Sequence, residues 1–435
     1  MSGLLRKSSF TSLSKTMAYV LLVYPLFLAL LQEGMGLPGV VKYVADIAWI
    51  AVAAIMLLSN KVRIRRAIFP FVVTVGILAL YTFLVYIFRY QSILYYLWGF
   101  RNYFRFYVAF FCFAVQFSEE DGLWGLQFLD KLFYINALVC ILQFLAGNHQ
   151  DNIGGIFGTV KGCNGYLLVY LTITTSKTLL CYMGGTEAAF PCYVKCIVAL
   201  IISAVSELKY FFLLFAVILV LSAFLTSFSV KKVMLLLGCA VLISAAAAVL
   251  GTIYTYFDGF LSWDSMRSAL LQGNYSSSTD IGRTNAISFI SKRFLKTFPE
   301  QLFGMGLGNC ETSSIALFNT AFSDQYVDLH YSIFSYAFMF LENGYIGLTL
   351  YVLFFLLCFV NARKQLKNNH GNPLLCQIAM IVSVICLMLL VYNSSLRTEA
   401  GYMAFFVLAL PYMQRTGEEN GASKRPGKRR VKFKF

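Results

Sequence analysis

Residues 374–392 read LLCQIAMIVSVICLMLLVY, an apolar run without a single charged residue. A helix needs about 20 mainly apolar residues to cross the hydrocarbon core of a bilayer, so this stretch reads as a membrane span. Comparable runs lie at 17–35, 39–58, 67–88, 102–118, 124–146, 164–183, 190–206, 210–228, 233–252, 343–361 and 401–414, which predicts about twelve spans in all. Composition argues the same way: 59% of residues are hydrophobic, 17% aromatic and only 13% charged, more apolar surface than an ordinary soluble domain can hide. The expected fold is all-α, a polytopic membrane protein of about twelve transmembrane helices. A long outer loop containing amphipathic helices falls between spans nine and ten.

Orientation follows from lysine and arginine in the short loops. Basic clusters stand at Arg6, Lys7 and Lys15, at Lys61, Arg63, Arg65 and Arg66, at Lys231 and Lys232, at Arg363, Lys364 and Lys367, and from Lys424 to Lys434. Threading twelve spans puts all of them on one side, the cytoplasmic one, with both termini inside. The connector Ser118-Glu119-Glu120-Asp121 lands on that side without a basic residue of its own, but acidic residues weigh little in this rule. The first apolar run lacks a small-residue cleavage site and reads as the first span. Four regions result: spans one to nine over 1–252, an extracytoplasmic loop over 253–342, spans ten to twelve over 343–414, and a basic cytoplasmic tail over 415–435.

The net charge of +15 belongs largely to those cytoplasmic clusters and serves topology and anionic lipid rather than nucleic acid. The eleven cysteines are scattered mostly through apolar spans, and Cys192 and Cys196 lack the surroundings of a zinc site. Cys163 and Cys310 both fall outside the spans, paired or free.

The outer loop carries the densest set of motifs: Gly282-Arg283, Pro299, Gly304-Met305-Gly306-Leu307-Gly308-Asn309, His330 and Glu342-Asn343-Gly344, with Gly347 after it. Ile281 to Leu302 has apolar residues at helical spacing, with Lys292, Arg293 and Lys296 among them, and is expected to form an amphipathic helix on the outer leaflet or over a cavity. Tyr331 to Leu341 is expected to form a second helix that hands over to the tenth span at Asn343-Gly344. The glycine run is not a dinucleotide fingerprint, because no strand and helix surround it.

Charge at the outer ends of helices is costly and often functional. Arg101 and Arg105 share a helix face at the expected mouth of span four. Lys161 lies in a glycine-rich loop, Glu207 and Lys209 form the turn between spans seven and eight, and Arg397 lies between the last two spans. With Arg283 and His330 they make a ring of basic groups suited to a diphosphate, which arginine grips as a fork and lysine as a point charge. The plainer readings are snorkelling for Arg101 and Arg105, a surface pair for Glu207 and Lys209, and structural pairs for Asp46 with Lys42 and for Asp130 with Lys131.

The order of these loop motifs resembles the O-antigen polymerase and O-antigen ligase superfamily, the Wzy- and WaaL-like bacterial glycosyltransferases of GT-C type fold. Sharp similarity covers 282–347, and elsewhere the similarity is one of layout. The resemblance implies transfer of a glycan from polyprenyl (undecaprenyl) diphosphate to a sugar hydroxyl on the outer face of the bacterial cytoplasmic membrane, inverting and independent of metal or other cofactor. It implies Arg283 and His330 as catalytic residues, and Arg101, Arg105, Lys209, Arg397 and Lys161 as diphosphate ligands. Gly304, Gly306, Gly308 and Asn309 would shape the loop. The implied partners are a lipid-linked oligosaccharide donor, a glycan acceptor, membrane lipid, a chain-length regulator and a flippase. Lys209 stands where many relatives have a Ser-Arg turn. Tyr331 after the histidine, where ligases commonly show asparagine, favours a polymerase over a ligase acting on lipid A-core. A flippase or a non-catalytic assembly factor is the other class left open.

Overall fold

The computed structural model describes residues 2–58, 65–160, 162–226, 238, 281–313 and 315–415. The ninth expected span apart from Gly238, the first part of the outer loop, Lys161, the Lys231-Lys232 pair and the tail from 416 lie outside the described residues. Within them the chain is helical, with one isolated backbone bridge between Ser118 and Gln414. The bundle runs through α1 (Ser2–Ala29), α2 (Lys42–Leu58), α3 (Phe69–Phe88), α4 (Ile93–Gln116), α5 (Glu119–Leu145), α6 (Asn164–Met183), α7 (Ala189–Val205) and α8 (Lys209–Leu225). Three short loop helices follow, α9 (Ala286–Arg293), α10 (Phe298–Phe303) and α11 (Ala321–Tyr326). The chain then returns to the bundle through α12 (Ser335–Lys367), α13 (Pro373–Tyr392) and α14 (Ala400–Ala409).

Among the described residues five helices are long and apolar enough to cross a membrane: Lys15–Gly34, Phe69–Phe88, Glu119–Leu145, Ser335–Lys367 and Pro373–Tyr392. Their burial shows which solvent they meet. On α3, Val73, Ile77, Leu80, Leu84 and Ile87 recur at helical spacing and are exposed, while Phe71, Thr74, Leu78, Thr82 and Val85 on the opposite face are buried. A continuous exposed apolar stripe of this length suits hydrocarbon and not water. The inward faces interlock through aromatic rings: Phe71, Phe110, Phe354 and Tyr412 join α3, α4, α12 and the turn after α14 at centroid distances of 5.0–5.9 Å.

Contacts between distant segments mark two opposite ends. At one, Lys15 binds Asp121 at 2.6 Å, Arg415 approaches Glu119 at 3.4 Å, and Arg65 donates to the Met413 carbonyl at 3.0 Å. Two acids of the Ser118–Asp121 connector, Glu119 and Asp121, thus meet cations from distant segments, although the connector has no basic residue of its own. Asp121 also closes a capping box with Ser118 that starts α5. At the other end, Arg89 after α3 donates to the Gly304 carbonyl at 2.7 Å, and Tyr210 at the start of α8 stacks on Tyr392 at the end of α13 at 3.8 Å. Helix α3 therefore runs from the first end to the second and α4, whose last turn is followed by the Phe117 carbonyl that accepts from Gln414 at 2.8 Å, runs back, and the loop helices sit over this second end.

Three expectations need correction. Helix α4 begins at Ile93, so Arg101 and Arg105 lie in its third and fourth turns rather than at its mouth, because the aromatic run before Arg101 contains no proline to break the helix. The segment Ile281 to Leu302 is two helices, not one. Thr297 and Glu300 form a capping box with Pro299 inside the first turn, a start signal that ends α9 and opens α10. The inner face of α9 (Ala286, Ile290) packs with Phe334 and Phe338 of the following segment, so this helix is fastened to the bundle. Asp46 pairs with Arg101 and Arg105 instead of Lys42, and Asp130 binds Lys177 at 2.8 Å and Lys195 at 2.9 Å instead of Lys131.

Candidate functional site

The glycine run is fastened to the bundle by backbone. Met305 and Gly306 donate their amides to the carbonyls of Leu341 and Glu342 at 2.9 and 2.8 Å. This two-rung ladder forms because α12 is interrupted at Gly344, whose φ of 61° and ψ of −167° are open to glycine almost alone. Gly304, opposite, has nearly the same angles, 71° and −167°. The buried Glu342 carboxylate accepts from the amides of Gly308 and Cys310, both at 3.0 Å, and Tyr81 donates to the Asn343 carbonyl at 2.7 Å. Asn309 closes the turn by donating to Met305 at 2.6 Å. On its other side the turn lies directly on α4: a Cβ at Gly99 would stand 2.5 Å from the Gly308 Cα, so two glycines permit the approach. The motif is thus a plug of fixed shape, and it carries Glu311 inward.

Beside this plug lies a cavity of about 160 Å³ lined by Lys42, Tyr43, Trp98, Arg101, Asn102, Arg105, Glu311, Thr312, Arg397, Thr398 and Glu399. Arg105, only 8% exposed, is at its centre. Its guanidinium donates to Asp46 at 3.2 Å, to Glu399 at 3.2 Å and to the Arg397 carbonyl at 2.8 Å. Arg101 also bridges to Asp46, and Tyr402 donates its hydroxyl to the same carboxylate. The Arg101 guanidinium stands 4.4 Å from the Tyr43 ring centroid and 4.8 Å from that of Trp98. Trp98 in turn stacks on Phe318 of the loop at 3.9 Å. Arg397 lies 3.4 Å from the Phe338 centroid, donates to the Ser332 carbonyl at 3.1 Å and faces Glu311 at 3.5 Å. The carboxylates hold the guanidinium groups in place before any ligand arrives.

Burial pushes the Glu399 carboxyl up, but the Arg105 charge and the Tyr166 hydroxyl outweigh it and hold Glu399 below the usual carboxylate range. A depressed folded value stabilises the native state above the unfolded pKa of about 4.3 and loses that contribution as pH falls through the folded value. The melting temperature in detergent is therefore expected to hold from pH 7 to about 5 and to fall below about 4. Glu399→Gln should melt lower at pH 7 and show a shallower acid decline; an unchanged acid decline would remove Glu399 from this linkage.

The expected site residues divide. Arg101, Arg105 and Arg397 converge on the cavity. Gly304, Gly306, Gly308 and Asn309 shape the plug beside it. Arg283 is not among the lining residues: it is 9% exposed, donates to the Tyr392 carbonyl at 3.1 Å and lies over the Tyr392 ring, at the seam between loop and α13. His330 is exposed, in a left-handed conformation (φ 52°), two residues before the Ser332 carbonyl that receives Arg397. Lys209 follows the left-handed Glu207 at the start of α8, also off the lining. Cys163 and Cys310 are separate buried thiols. Sequence reasoning missed Lys42, Glu311, Glu399 and the Tyr43–Trp98 wall. The i, i+4 pair Lys42 and Asp46 was a usable signal, since it matches Arg101 and Arg105 in spacing and its Asp46 opposes them in charge.

No protein-family model matches this chain, and no curated protein matches it.

Proposed function

We propose that the chain transfers a glycan from polyprenyl diphosphate to a sugar hydroxyl at the loop end of the bundle, as a polymerase of surface polysaccharide. Twelve spans would place this end at the outer face of the bacterial cytoplasmic membrane. The observation that carries the reading is the convergence of Lys42, Arg101, Arg105 and Arg397 on one cavity under the loop. In the transfer the acceptor oxygen attacks the anomeric carbon, the bond from that carbon to the diphosphate oxygen breaks with its electron pair staying on the diphosphate, and the hydroxyl proton leaves. Attack from the opposite face inverts the anomeric centre. Lys42, Arg101 and Arg397 meet the growing phosphate charge, and Arg105, engaged on three sides, positions them. Arg283 fastens the loop, and His330 takes the released proton directly or through water.

Purified protein in vesicles, supplied with undecaprenyl diphosphate-linked oligosaccharide, is expected to release undecaprenyl diphosphate and form longer glycans. Arg397→Ala should lower turnover about 10²- to 10³-fold, and His330→Ala about 10²- to 10⁴-fold with donor affinity little changed. Absence of product from the folded wild type defeats the enzymatic reading. Normal turnover in His330→Ala removes the histidine from the proton path.

A further inference from the structure

Helix α10 is amphipathic in the opposite sense to a helix that faces water. At about 100° per residue, Phe298, Leu302, Pro299 and Phe303 fall within an arc of about 140°, and Glu300 and Gln301 share the other side. The apolar arc is the outward one: Phe298 is 71% exposed, Phe303 is 41% exposed, and Pro299 is exposed between them. The polar side is satisfied by the chain itself. The Glu300 carboxylate accepts from the Thr297 amide at 2.9 Å, and the Gln301 amide donates to the Leu295 carbonyl at 3.1 Å. A surface helix in water turns its apolar side to the core and its polar side out.

The place of α10 in the fold selects what covers the apolar arc. Its C-terminal end rests on the last two turns of α3: the Tyr81 hydroxyl donates to the Leu302 carbonyl at 3.2 Å, the Tyr81 ring stacks on Phe303 at 6.5 Å, and Arg89 holds the Gly304 carbonyl. In those same turns Leu84, Ile87 and Phe88 carry the exposed apolar stripe of α3 to its end. Beyond the Gly344 break α12 presents a second exposed row at helical spacing, Tyr345, Leu353, Leu356 and Val360. The arc on α10 continues both rows, so it meets the same hydrocarbon. Lys292 and Lys296, exposed just before the helix, supply the cations that an interfacial helix sets among phosphate headgroups. We propose that α10 lies in the leaflet at the loop end, its apolar arc sunk about 5–10 Å into the boundary between headgroups and acyl chains. The glycine plug begins at Gly304, directly after this helix, so the bilayer is the footing from which the loop reaches the cationic cavity. The seat stands whether or not the chain transfers a glycan.

The test uses the full chain with the photoreactive residue p-benzoylphenylalanine at a single position, reconstituted in vesicles of phosphatidylcholine and phosphatidylglycerol and irradiated. Adducts are located by mass spectrometry. The probe in place of Phe298 or of Phe303 is expected to gain phospholipid through acyl C–H bonds, as the probe in place of Ile77 on the α3 stripe does. The probe in place of Asp324, exposed on α11, is expected to gain none. Each α10 position decides by itself, so a variant that does not fold is replaced by the other. Absence of phospholipid adducts on α10 overturns the seat, and their absence at Ile77 as well would show that the hydrocarbon reading of α3 fails with it. Bonds from α10 to a second copy of the chain in place of lipid, or phospholipid adducts as abundant at Asp324 as on α10, overturn it too.

Discussion

Arg105→Ala is expected to lower the stability of the folded chain by about 3–5 kcal/mol, the range found when one partner of a buried ion pair is removed. Arg105 is buried between Asp46 and Glu399, which are themselves only 2% and 6% exposed. Its loss leaves Glu399 with the Tyr166 hydroxyl alone and Asp46 with Arg101 and Tyr402, in surroundings where water cannot compensate. It also frees the Arg397 carbonyl. The double substitution Arg105→Met with Glu399→Gln should recover a large part of the melting temperature, because it removes both charges of that pair while keeping the volume filled. Activity should not return with stability, since Arg397 would have lost its anchor. A double variant no more stable than Arg105→Ala would mean that packing, and not uncompensated charge, dominates.

The helical membrane class was legible because it depends on the length and apolarity of single segments, which a window along the chain registers directly. The stripe on α3 from Val73 to Ile87 could be read the same way once the segment was taken as a span. Partner choice was not legible. Asp46 has Lys42 four residues before it, yet it binds arginines 55 and 59 positions away, because a planar fork in a buried position satisfies a carboxylate better than an ammonium near the surface. Arg397 was found by its charge alone, but its seat over Phe338 depends on where α12 begins, and no local pattern encodes that. Glu311 and Glu399 escaped notice for a different reason. Neither acid belongs to a motif in the sequence, and their role of orienting the arginines exists only in the fold. The glycines were found as a motif, and their physical cause emerged only when the two breaks were seen to face each other.

That facing pair carries the other large effect. Gly344→Ala is expected to destabilise the loop end by about 2–6 kcal/mol, the sum of two contributions. The first is strain: at φ 61° and ψ −167° a side chain is almost excluded, which costs about 1–3 kcal/mol. The second is overlap, since a Cβ there would stand 2.2 Å from the Leu302 carbonyl oxygen, a backbone atom that cannot turn aside; forced overpacking adds about 1–3 kcal/mol. Relief requires the ladder from Met305 and Gly306 to Leu341 and Glu342 to open. Opening it would withdraw the plug, and Glu311 with it, from Arg397. The loop should therefore become sensitive to protease near the glycine run while the bundle below stays folded, a separation that limited proteolysis followed by mass spectrometry would register. Gly347→Ala, on the helical segment just beyond, would place its Cβ 2.3 Å from the Asn343 Cβ, a side-chain atom on the same break, and should share the phenotype in milder form. If Gly344→Ala melts like the wild type and keeps its loop protected, the two-glycine junction is not what holds the plug, and the seam at Arg283 and Tyr392 must carry that task alone.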